Sequence, residues 1–68
     1  MALTDAQKRE LIEQRLQHFE TEKFQHELNR ELAQALGNDS ANATALAAIQ
    51  ELDTAIAVHQ DALNNLEN

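Results

Sequence analysis

The stretch Leu36-Gly37-Asn38-Asp39-Ser40 decides the fold, because it holds the only glycine of a 68-residue chain that contains no proline. Glycine readily adopts the left-handed conformation that ends many helices, and Asp39 and Ser40 are both favourable N-caps for a helix that follows. No helix-breaking residue lies on either side of this turn. The sequence therefore predicts one helix over about residues 4–36, a turn at 37–39 and a second helix over about 40–66.

The far end of the first helix has its own start signal. Thr4 and Gln7 have the spacing of a capping box, and Asp5 places a negative charge in the first turn. At 1.5 Å per residue the two helices are roughly 50 Å and 40 Å long, and so short a connection folds them antiparallel. We expect an all-α, antiparallel two-helix hairpin in which residues 1–68 form a single domain.

The second helix has an apolar seam with alternating steps of four and three residues, interrupted by one histidine. The seam consists of Ala45, Ile49, Leu52, Ile56, His59, Leu63 and Leu66. A row of alanines recurs every seven residues along one flank: Ala41, Ala48, Ala55 and Ala62. One partner helix needs only one seam, so this row predicts a second neighbour, although alanine is also common simply because it favours helix. A homodimer of hairpins, packed as a coiled-coil-like four-helix bundle, would use both rows.

The first helix has a less regular stripe, with a four-residue step whose missing member is Glu20. Its apolar members are Ile12, Leu16, Phe24, Leu28, Leu32 and Leu36. A four-residue step drifts by about 40° around the helix axis, so one straight partner cannot follow the whole stripe. We expect the half nearest the turn, from Phe24 to Leu36, to pack on the second helix. We expect the earlier patch to meet the other protomer: Ile12, Leu16 and Phe19.

The size of the chain also favours self-association. Surface scaling gives about 4,300 Å² for a compact fold of 7.6 kDa, and the apolar area that such a fold buries barely offsets the chain entropy. An elongated hairpin buries less than a sphere does. We therefore expect a second copy of the chain to supply the missing burial.

The net charge of −7 disfavours several classes of partner. All five basic residues lie in residues 1–36 beside seven acids, and the rest of the chain carries five acids and no base. This field repels phosphate, so we expect neither nucleic acid nor a membrane surface as a partner. Charged residues interrupt the first twenty positions, and no apolar run approaches about 18 residues. We expect a cytoplasmic protein.

The histidines are the main candidates for chemistry. His18, Glu22 and His26 are spaced by four residues on one face of the first helix. Folding the chain so that the numbers of facing residues sum to about 77 places His59 opposite His18. A cluster of His18, Glu22 and His59 would suit zinc or iron, whereas the alternative is a core histidine at 59 and solvated side chains at the other positions.

Other chemistry has little support in the sequence. The chain has no cysteine, no glycine-rich phosphate loop and no Glu-x-x-His pair of the type found in di-iron bundles. We therefore expect no enzyme and no cofactor, with a divalent metal as the one alternative.

The main hypothesis for function is a protein–protein interaction or oligomerisation module that forms a homodimer. One alternative is a metal-binding or metal-sensing bundle that uses the histidines. Another is a subunit of a hetero-oligomer, whose alanine-rich face is covered by another protein. In length and layout the chain resembles the small helical-hairpin co-chaperones of type III secretion, which would imply such a hetero-oligomeric role.

Overall fold

A computed structural model describes residues 2–67. They contain two α-helices, α1 (Asp5–Leu36) and α2 (Asp39–Glu67). The start of α1 is the predicted capping box. The Gln7 backbone N–H donates to the Thr4 hydroxyl at 3.1 Å, and the Thr4 N–H donates to the Gln7 side chain at 2.9 Å. These two bonds satisfy backbone donors that the first turn of a helix leaves free.

The turn is built around Gly37, whose backbone has φ 68° and ψ 26°. The Gly37 N–H donates to the Gln34 carbonyl at 3.1 Å, and the Asn38 N–H donates to the Ala33 carbonyl at 2.8 Å. This pair of bonds is a Schellman motif, which requires a left-handed residue that glycine adopts without steric cost. The predicted role of Gly37 is therefore confirmed.

The cap of α2 differs from the prediction. Asn38, rather than Asp39 or Ser40, is the N-cap: its side-chain oxygen accepts from the Ala41 N–H at 3.0 Å, and its carbonyl accepts from the Asn42 N–H at 3.0 Å. Asn38 thus closes α1 with its N–H and opens α2 with its two oxygens. The turn has only two residues, and α2 begins one residue earlier than expected.

The two helices lie antiparallel along their whole length. Residues in contact across the hairpin have numbers that sum to between 72 and 78, close to the expected 77: Arg30 with Asn42, Lys23 with Asp53, and Phe19 with His59. The molecule is a rod of 51 × 18 × 15 Å. Its radius of gyration of 15.6 Å exceeds the roughly 11 Å of a compact domain of this length.

The contact between the helices is a seam with steps of three and four residues on both sides. On α2 the positions of the predicted seam are all buried or half-buried, with Asn42 added at its start, and the neighbouring Leu46, Ala48, Ala55 and Ala62 are half-buried as well. On α1 the seam positions are Arg9, Ile12, Leu16, Phe19, Lys23, His26, Arg30 and Ala33, and Glu22 beside them is also half-buried. The α1 seam is therefore apolar in its first half and polar in its second.

Little of the chain is fully covered by this packing. Among residues 2–67, only Ala33, Ala45 and Ile49 are buried, with exposures of 3%, 5% and 9%. All three lie in the half of the hairpin near the turn, where two alanines bring the helices close together. Over the same residues, neither helix contains a stretch apolar enough to span a bilayer.

Candidate interaction surface

The apolar stripe predicted to pack at the turn end of the hairpin is on the outside of α1. Phe24, Leu28, Leu32 and Leu36 are 60%, 49%, 60% and 72% exposed, so the expectation that they pack on α2 is wrong. The reason is geometric, because the α2 seam alternates steps of three and four and an antiparallel partner must do the same. A row of side chains spaced by four residues throughout drifts around α1, so it loses contact with α2 after one or two helical turns.

The apolar patch in the first half of α1, rather than the stripe near the turn, packs against α2. Ile12, Leu16 and Phe19 are half-buried at seam positions of α1. The Phe19 ring meets His59 edge-on, with centroids 4.9 Å apart and an interplanar angle of 69°. Arg15 covers the other part of this ring, 5.8 Å from its centroid. These contacts account for the apolar character of the patch within a single hairpin.

The alanine row forms one edge of a groove between the helices. Ala41 is exposed, while Ala48, Ala55 and Ala62 are half-buried. Each of the four alanines immediately precedes a seam residue of α2. Facing residues of the hairpin have numbers that sum to about 77, so the alanines lie opposite Leu36, Asn29, Glu22 and Arg15 of α1. Their small side chains leave open space on this side of the hairpin.

Two clefts occupy that space. The cleft at the turn has a volume of about 470 Å³ and is lined by His26, Asn29, Leu32, Ala33, Leu36, Asn38, Ala41, Thr44 and Ala45. The next cleft has a volume of about 350 Å³ and is lined by Glu22, His26, Ala48, Glu51, Leu52 and Ala55. Because His26 borders both, the two clefts form one groove that runs from the turn to the middle of the rod.

Four large exposed apolar side chains lie on the same side as this groove. Leu32 and Leu36 line it directly. Leu11 is 48% exposed and precedes Leu32 by three heptads, which places both on one side of α1. Val58 is 58% exposed and lies between Ala55 and Ala62 on the helical repeat of α2. We call these four side chains and the alanine row the groove face.

The groove face carries little charge. Apart from His26, the charged or titratable residues that line the two clefts are Glu22 and Glu51. A groove that combines exposed leucines, small alanines and few charges is typical of surfaces that bind another protein. The sequence identified the alanine row but not Leu32, Leu36 and Val58, although the heptad spacing of Leu11 and Leu32 could have indicated one side of α1.

The histidines proposed for metal binding are only partly brought together. His18 has a 67% exposed side chain, with its Nε2 atom 3.3 Å from Oε1 of Glu22. The half-buried ring of His59 instead lies against Phe19, and its Nδ1 atom is 2.7 Å from the Ala55 carbonyl, to which an Nδ1–H donates. Within residues 2–67, no set of three or more His, Asp or Glu side chains has a metal-binding arrangement.

Two of the three polar residues in the second half of the α1 seam, Lys23 and Arg30, have polar partners on α2. Nζ of Lys23 lies 2.6 Å from Oδ1 of Asp53, and the Arg30 Nε–H donates to the Asn42 side chain at 3.2 Å. The hydrogen bond to Asp53 and the charge of Asp53 raise the pKa of Lys23 above its ordinary value of 10.5. Burial opposes this shift, and the charges of Glu27 and Glu20 add smaller upward contributions. Both cations therefore reach across the hairpin to polar partners on α2.

Comparison of the chain with known protein families, with curated proteins and with solved structures finds no match.

Proposed function

We propose that the hairpin is a self-association module, which forms a homodimeric four-helix bundle through the groove face. The observation that carries this proposal is the unpartnered apolar side of the rod, where Leu11, Leu32, Leu36 and Val58 are about half or more exposed. Monomeric proteins rarely leave so continuous an apolar surface in contact with water.

The exposed area supports a partner of the same size. The hairpin exposes 5121 Å², against about 4,300 Å² for a compact protein of this mass. The excess of about 800 Å² is close to the area that each partner contributes to a standard protein–protein interface. Covering the groove face with a second hairpin would bring the exposed area per chain to the value of an ordinary globular fold.

Charge also favours a second copy at this face in particular. The acids Asp39, Asp53, Asp61 and Glu67 of α2 do not line the groove, and Glu51 does. Two groove faces would therefore meet with few carboxylates between them, although each chain has a net charge of −7. The predicted interface residues Ile12, Leu16 and Phe19 lie inside the hairpin seam, and the proposal does not require them to touch the partner.

The test is the molar mass in solution. Gel filtration with light scattering should give about twice the chain mass of 7.6 kDa for the wild type. Ala48→Glu places a charge in the groove and should give the monomer mass. The matched control is Ala57→Glu, because Ala57 is exposed and lies nine residues after Ala48, which places it on the opposite side of α2. It should remain dimeric.

A second variant distinguishes loss of the dimer from unfolding of the hairpin. Leu32→Gln changes a side chain that is 60% exposed, so the hairpin itself should persist while the dimer weakens. Far-UV circular dichroism reports the helix content of each variant. A helical wild type with the monomer mass at every concentration, or an Ala48→Glu variant as dimeric as Ala57→Glu, would refute the proposal.

A further inference from the structure

Phe24 and Leu28 form a second apolar patch, outside the groove. Their side chains are 60% and 49% exposed, and neither lines either cleft. They lie one turn apart on α1, and Phe24 is three four-residue steps from Leu36, which corresponds to about 120° around the helix. One flat partner that covers Leu32 and Leu36 therefore leaves Phe24 uncovered.

The exposed charged side chains around this patch are acidic. Lys23 and Arg30 are the two cations of this segment, and both reach across to α2, where they contact Asp53 and Asn42. The neighbouring acids Glu20, Glu27 and Glu31 are exposed, and in the described part of the chain none of them lies within ion-pair distance of a cation, although Glu20 and Glu27 are close enough to Lys23 to raise its pKa. The patch is consequently an apolar pair with a rim of exposed carboxylates.

We infer that Phe24 and Leu28, with the rim of Glu20, Glu27 and Glu31, form a docking site for a basic amphipathic helix of another protein. Such a helix would place apolar side chains on the patch and Lys or Arg side chains beside the carboxylates. The same rim repels a second acidic copy of this chain, so the site goes beyond the self-association proposed above. Its small apolar area corresponds to a weak, salt-sensitive complex.

A synthetic helical peptide of leucine and lysine, with its lysines on one face, is a suitable probe. Fluorescence anisotropy of the labelled peptide, titrated with the full chain, should show saturable binding that weakens with added salt. Phe24→Ala and Leu28→Ala should each reduce the affinity about tenfold, because they remove an exposed anchor without touching the seam. The matched control is Leu3→Ala, since Leu3 is 52% exposed and distant from the patch.

The charge of the rim needs its own pair of variants. Glu27→Gln with Glu31→Gln should weaken binding and flatten its salt dependence. Asp61→Asn with Glu67→Gln removes the same charge elsewhere and should have a much smaller effect. Equal losses of affinity in the two double variants would mean that net charge drives binding. Equal losses of affinity for Leu28→Ala and Leu3→Ala would mean that nonspecific hydrophobic binding does, and either result would show the inference to be wrong. So would an absence of saturable binding.

This result is separable from the oligomeric state. Phe24 and Leu28 are exposed in the hairpin itself, so the peptide should bind whether the chain is a monomer or a dimer. Light scattering on Phe24→Ala should give the wild-type mass, because Phe24 lies about 120° around α1 from Leu36 and is off the groove face. A failed dimer with intact peptide binding would refute only the self-association proposal, and the reverse outcome would refute only this one.

Discussion

Replacement of Gly37 by alanine should destabilise the hairpin by about 1 kcal/mol. The residue has φ 68°, and an added Cβ would meet no atom within 4 Å, so the cost comes from the backbone alone. The left-handed conformation costs an L-residue about 1–2 kcal/mol. Alanine also restricts the unfolded chain, which returns about 0.4–1 kcal/mol. For 68 residues an unfolding entropy near 0.14 kcal/mol/K converts the net cost into a fall in Tm of about 7 °C.

Thermal melting by circular dichroism measures this effect, with all samples at one protein concentration because the Tm of a dimer depends on it. Gly37→Asn is the matched control, since asparagine enters the left-handed region more easily than alanine, and its Tm should fall less. A Gly37→Ala variant that melts at or above the wild-type temperature would contradict the assignment of the turn. It would mean that the Schellman bonds do not determine where α1 ends.

Two further predictions concern contacts between the helices. Because the pKa of Lys23 is raised above 10.5, the stabilisation from its pair with the Asp53 carboxylate should be fully present from neutral pH to about pH 10 and lost as the pH rises through the folded-state pKa. On the alkaline side of neutrality, the difference in Tm between wild type and Asp53→Asn should therefore shrink only in strong alkali, and a difference that vanishes near neutral pH would contradict this prediction. The edge-on contact of Phe19 and His59 should give a coupling of about 0.5–1.5 kcal/mol in a double-mutant cycle with Phe19→Leu and His59→Leu. Additive losses of unfolding free energy would show that the two rings stabilise the hairpin independently.

The sequence predicted the two helices, the turn and the seam of α2, because each rests on local chemistry. Gly37 is the only residue of the chain able to enter the left-handed turn without strain, and Thr4 with Gln7 forms a cap within one turn of helix. The seam of α2 is a strict heptad row, so its buried side follows from spacing alone. Asn38 was missed as the cap because Asp39 and Ser40 are equally good cap residues, and only the geometry of the preceding Schellman turn decides among the three.

The seam of α1 could not be found by following its apolar residues. Lys23, His26 and Arg30 occupy positions that a hydrophobicity pattern assigns to solvent, and the leucines nearby follow a different row. The available signal was the strict period of α2, since its antiparallel partner must share that period. Continuing Ile12, Leu16 and Phe19 with the same steps leads to the three polar residues. Their acceptability depends on tertiary contacts, such as the one between Lys23 and Asp53, which no local pattern contains.

The mismatch between these two rows of α1 explains why the hairpin has two apolar surfaces that are exposed to solvent. A straight helix cannot turn Ile12, Leu16 and Phe19 toward α2 and also turn Phe24, Leu28, Leu32 and Leu36 toward it, because the second row drifts around the axis. When the row of Ile12, Leu16 and Phe19 packs against α2, the second row faces solvent. Because the second row drifts around the helix, Leu32 and Leu36 lie on the groove face, whereas Phe24 and Leu28 form the patch with the glutamate rim. Because the two surfaces point in different directions and differ in charge, the two proposed partners would bind without competing. The polar half of the α1 seam is thus the feature on which both proposed interactions depend.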